Sequence, residues 1–206
     1  MINLSQTIPV LLLGTSLAVL SPQLCTAFTV QEVASLAKAS SDLPVVKSAG
    51  LSPDMDVPWS KPVRIIDPFE GELVGVFDRN SLGGYLYREN SKQVISLWTP
   101  SSIRVLVTLN SDQASSSFYT AGRVYPRYDY QRFVTTKKVD KLLLKVRGKV
   151  FQLDSSTGTF AVSQELATAL KNAPDENLDI RLLLEGGQTI DSEIGKDTVK
   201  SWRKIY

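Results

Sequence analysis

Two pairs of carboxylates stand at spacings that suit acid–base chemistry: Glu70 and Glu72 around Gly71, and Asp191 and Glu193 around Ser192. On a strand, alternate side chains share a face, so each pair would sit about 6.5 to 7 Å apart at its Cα atoms. Glycoside hydrolysis uses carboxyls roughly 5 to 9.5 Å apart, but it places them on opposite sides of a cleft, from separate elements. Near neighbours on one strand read instead as a solvent-facing stripe. Asp175-Glu176-Asn177-Leu178-Asp179 opens like the calcium loop D-x-N-x-D. Ile180 then occupies the place of the turning glycine, and Gly186 that of the closing glutamate. Ser35-Leu36-Ala37-Lys38 matches S-x-x-K, yet no K-T-G or S-D-N triplet accompanies it.

Absent residue types exclude more. The chain has no histidine and one cysteine, Cys25. Ser-His and Cys-His nucleophiles are therefore excluded, as are zinc or iron sites built on those ligands. Carboxylates remain the only strong metal ligands, and no metal or cofactor is expected. The reading is of a protein that is not an enzyme.

The other unusual stretch is GRVYPRYDYQRF, ending at Phe133, with three tyrosines, a phenylalanine and three arginines. If extended, it puts Tyr128, Tyr130 and Arg132 on one face. Such a face can stack against sugars, dock a protein, or simply form a strand, since tyrosine and phenylalanine favour strands. Lys137 and Lys138 follow, within a basic run from Arg123 to Lys149; an acidic run from Glu165 to Glu193 answers it. Net charge is only +2. The two runs can neutralise each other within the fold, or the basic one can attract an acidic partner.

The elements that position these residues come after an N-terminal address. Ile8 to Leu20 is apolar but too short to span a bilayer, and Cys25-Thr26-Ala27 supplies small residues for a signal peptidase, although no Lys or Arg precedes the apolar run. Residues 1–27 read as a signal peptide, and the protein as exported, with no transmembrane anchor after cleavage. Nucleic acid is an unlikely partner in that compartment. The remaining chain of about 180 residues can bury roughly 70% of its unfolded surface. Residues 28–62, broken by Pro44, Pro53, Pro58 and Pro62, read as an arm or linker that Trp59 docks. Residues 63–206 form the body, with NSDQASSS (110–117) as a flexible connection that would divide it into halves, 63–110 and 118–206.

Within the body, PVRIID, GELVGVFD, YLYRE, KQVISLW and SIRVLVTL read as strands, with Asp78-Arg79-Asn80-Ser81 as a turn. DKLLLKVRGKVFQLD is a hairpin around Arg147-Gly148, and NLDIRLLLE turns at Gly186-Gly187 into QTIDSEIG. SQELATALKNAP is one short helix, about 163–173, capped by Ser163 and stopped by Pro174. The tail TVKSWRKIY suits a helical turn or a last strand. The fold class is mainly β: a sandwich or partly open barrel with one short helix.

"SQELATALKNAP" and "LEGGQTIDSEIGKDTVKSWRKIY" together resemble the C-terminal region of uncharacterised exported proteins of cyanobacteria. The resemblance implies a location, periplasm or thylakoid lumen, and no activity. The resulting expectation is a non-catalytic accessory or assembly factor of an envelope or thylakoid complex, working by protein contact through Tyr128, Tyr130, Arg132, Lys137, Lys138 and Trp59. The alternative is a cell-wall or polysaccharide-binding module using the same tyrosines. Intact mass of the exported protein should place its first residue at Phe28; a mass that retains residues 1–27 would refute the signal peptide.

Overall fold

Alternation along NLDIRLLLE survives into three dimensions: Leu178, Ile180, Leu182 and Leu184 are buried while Asp179, Arg181 and Glu185 are exposed. The structure, a computed structural model, describes residues 42–83, 91–117, 127–155 and 157–206, and of 111–117 and 127–133 the backbone. The signal peptide and YLYRE lie outside the described residues.

The first sheet runs β1 (Val45–Val46), β2 (Pro62–Asp67), β3 (Gly71–Leu82), β4 (Ser91–Trp98), β5 (Ser102–Ser117) and β6 (Arg127–Lys137), in that order. The pairing of β1 with β2 is parallel, and the remaining neighbours are antiparallel. One residue, Lys138, carries the chain into the second sheet, which is ordered β11 (Thr189–Ile194), β10 (Leu178–Leu184), β7 (Val139–Val146) and β8 (Lys149–Asp154). A short β9 (Thr159–Ala161) then returns to β5 and pairs with its first residues. The product is a mainly-β, sandwich-like fold, with no closed barrel.

Three departures from the sequence reading have physical causes. Asn110 to Ser117 is strand, not connection, and pairs with β6 from Asn110↔Val134 to Ser117↔Arg127. Ser, Asp and Gln are poor strand formers alone, but a partner strand rich in Tyr, Phe and Arg supplies the pairing. Asp78-Arg79-Asn80-Ser81 does not turn; β3 continues through it to Leu82. And among the described residues the tail forms a second helix beside the one expected. Helix α1 (Gln164–Lys171) is capped as expected, with Ser163 Oγ accepting the Leu166 N–H at 3.2 Å. Helix α2 (Lys196–Trp202) occupies the tail, where Val199 and Trp202 are fully buried and the Trp202 ring lies 4.5 Å from that of Trp98.

The main core lies between the sheets, where Trp98, Ile103 and Val107 face Leu142, Leu144 and Leu182, closed by Leu166 and Leu170 of α1. A second cluster covers the opposite face of the first sheet: Val63, Ile65, Phe77 and Leu97 pack against Ala49, Leu51, Met55 and Trp59 of the proline-broken arm. Gly75 marks the tightest approach there. A Cβ at this position would stand 2.9 Å from the Trp98 carbonyl oxygen and 2.9 Å from Leu97 Cδ1. Gly75→Ala should cost about 1–3 kcal/mol through overpacking, read as a lower denaturant midpoint; an unchanged midpoint would show that β3 and β4 can separate freely.

Candidate functional site

The aromatic and basic residues are placed by the β5–β6 hairpin. Register sets Tyr128 opposite Ser116, Tyr130 opposite Ala114 and Arg132 opposite Asp112. Strand β4 accompanies β5 from Ile103 to Asn110, and among the described residues 111–117 pair with β6 alone. The outer part of the hairpin is thus a two-stranded ribbon, seven residue pairs long, or roughly 20 Å. Lys137, half-buried, and exposed Lys138 lie at its base. Lys138 Nζ is 3.4 Å from the Asp140 carboxylate, and its carbonyl accepts the Glu185 N–H at 3.0 Å.

Trp59 does not join them. It is half-buried over β3, edge-on to Phe77 at 6.5 Å, with the Arg79 guanidinium 4.5 Å from its ring centre. Phe77 is level with Arg104 through Leu97, whereas Tyr130 is level with Ala114. Ten positions along β5 correspond to roughly 33 Å. Trp59 fastens the arm to the sheet.

The paired carboxylates are engaged within the fold. Glu70 lies in the β2–β3 turn and makes a two-pronged pair with Arg104, and Glu72, on β3, pairs with Arg64 at 2.8 Å. Asp191 takes two hydrogen bonds from Arg181, at 2.5 and 2.9 Å, which hold its carboxyl below the usual carboxylate range. A general acid needs the opposite shift. Glu193 accepts from Asn177 Nδ2 at 2.9 Å and stands directly across from Asp179. Asp179, Arg181, Asp191 and Glu193 line an open concavity of about 670 Å³ on the outer face of the second sheet, beside Leu143, Lys145 and Val150. The D-x-N-x-D residues disperse: Asp175 pairs with Arg203, and Asn177 Oδ1 takes the Lys196 N–H. Among the described residues no three carboxylates or thiols gather around a metal-sized space.

The polar cluster that sequence reasoning missed centres on Asp78. Its side chain is 4% exposed, on the core face of β3. Its carboxylate accepts the Thr198 hydroxyl and the Gly195 N–H. Gly195 is the N-cap residue of α2 and has no side chain with which to cap, so Asp78 satisfies that helix end from across the core. Thr198 Oγ1 also lies 2.9 Å from Ser60 Oγ, Ser201 Oγ donates to the Ser60 carbonyl at 2.7 Å, and the Ser60 N–H donates to Phe77. Ser60 is held at φ +60°, a costly conformation for a residue with a Cβ. The hydroxyls form a chain ending on a carboxylate, but each is committed to joining arm, β3 and α2. No sequence signal identifies Asp78, because an Asp-Arg-Asn-Ser string looks like a turn until α2 is seen beneath it.

No family model, curated protein or solved structure matches the chain.

Burial pushes the Asp78 carboxyl above 3.8, against the pull of Thr198 and Gly195. A raised folded-state pKa contributes stability below the unfolded pKa, and that contribution fades as pH rises through the folded one. The stability advantage of wild type over Asp78→Asn should therefore be largest below pH 3.8 and shrink as pH rises above it. Thermal melts of both proteins across that rise test it; an advantage that grows with pH would reverse the assignment.

Proposed function

We propose that the protein works by contact, as a non-catalytic exported accessory or assembly factor that presents the β5–β6 ribbon to a protein partner of the envelope or thylakoid lumen. One observation carries the reading: residues 127–133 belong to a ribbon whose two strands, among the described residues, pair only with each other beyond Asn110. Its composition of Tyr, Arg and Phe is that of interface centres. The charge pattern supports contact over general anion binding, since Lys138, Lys141 and Lys149 already face Asp140, Asp154 and Glu165. No helix of the described residues is long and apolar enough to cross a membrane.

A polysaccharide ligand is the second reading, because alternate register positions place Tyr128 and Tyr130 as successive steps on one strand. Replacing Tyr128, Tyr130 and Arg132 together by alanine should abolish recovery of a native complex while leaving the unfolding midpoint unchanged. Equal recovery from wild type and variant would remove the ribbon from the function. Co-sedimentation with purified peptidoglycan separates the alternatives: salt-resistant binding lost in Tyr128→Ala favours the glycan. Binding that salt abolishes is a generic charge contact.

A further inference from the structure

Phe69 is 95% exposed, yet its turn is among the most firmly tied in the molecule. The Asp67 carboxylate accepts three backbone N–H groups: Phe69 at 2.8 Å, Glu70 at 3.2 Å and Ala49 at 2.9 Å. Arg104 grips Glu70 from β5, and Arg64 grips Glu72 from β2. An aromatic side chain presented on a rigid turn loses little freedom when a partner buries it. With Asp67, Glu70 and Glu72 set against Arg64 and Arg104, the turn is left one charge negative.

The same chain carries a receptacle of opposite character. Between α1 and the β7–β8 turn lies an open groove of about 470 Å³, floored by Val146, Phe151 and Ala169. Arg147 and Lys149 stand at its rim against a single acid, Glu165, which leaves it one charge positive. A cavity of about 150 Å³ holds benzene, so a phenyl group fits here with room to spare. With Phe69 almost wholly in solvent, its own fold leaves the ring free to enter the groove of another copy.

We propose that two copies of this chain associate by seating the Phe69 turn of one in the α1/β7–β8 groove of the other, with Glu70 and Glu72 facing Arg147 and Lys149. The contact is heterologous: anchor and socket are different surfaces. It is independent of the ribbon.

Sedimentation equilibrium of the purified protein from about 10 µM to about 1 mM, the range of weak contacts, should show the mass rising towards that of a dimer or a longer assembly, less so at high salt. Phe69→Ser alters an exposed side chain, and Thr168→Glu fills and acidifies the groove from an exposed helix position. Each variant alone should be monomeric, with an unchanged unfolding midpoint and an apparent dissociation constant raised at least tenfold. An equal mixture of the two should form a one-to-one dimer, since one retains its socket and the other its anchor. A wild type that stays monomeric at about 1 mM overturns the proposal. So does association that survives either substitution, or a mixture that fails to pair.

Discussion

The first sheet carries apolar side chains on both faces, Trp98 and Ile103 on one and Phe77, Leu97 and Ile65 on the other, and a sheet so built is unstable in water until each face is covered. The second sheet and the two helices cover one face. The other is covered by a stretch with almost no regular structure, in which Leu51, Met55 and Trp59 do the packing. Pro44, Pro53 and Pro58 interrupt residues 42–61, and this part of the arm follows the sheet surface and is fastened at points: Pro44 to Arg64, Ala49 to Asp67, Ser60 to Phe77.

Two buried carboxylates do much of the fastening, and their titration runs in opposite directions for one reason. Asp67 receives three backbone N–H groups, which favour the ionised form, and its pKa falls. Asp78 receives one N–H and one hydroxyl, too little to offset the loss of water, and its pKa rises. Asp67 loses its role in strong acid, whereas Asp78 is most comfortable there. Between them they join the arm, the first sheet and α2.

The same economy bears on function. Carboxylates singled out for their spacing are engaged by arginines within the fold: Glu70 by Arg104, Glu72 by Arg64, Asp191 by Arg181, Asp175 by Arg203. Exposed pairs of this kind contribute little stability. The proposed contact role rests instead on shape, in a ribbon and a rigid aromatic turn.

Much of this was legible in local pattern. Period-two alternation marked β5 and β10; Ser163 and Pro174 bounded α1; Arg147-Gly148 and Gly186-Gly187 marked hairpins, where the three glycines take the positive φ that glycine tolerates and Arg147 takes it without that freedom. Tyr128, Tyr130 and Arg132 stand on one strand, β6, and Trp59 lies over β3, but nothing in composition says that about ten positions along β5 separate them. Sequence by itself determined the fold class and the chemistries ruled out, because alternation, turns and missing residue types are local properties. Tertiary structure alone decided that NSDQASSS is a strand, that DRNS is not a turn, and that the tail is a helix. In the first two a weak local preference was overruled by a partner element, β6 for one and α2 packed under Asp78 for the other; the tail, open between helix and strand, was decided by a carboxylate more than a hundred residues away that caps a helix lacking a cap of its own.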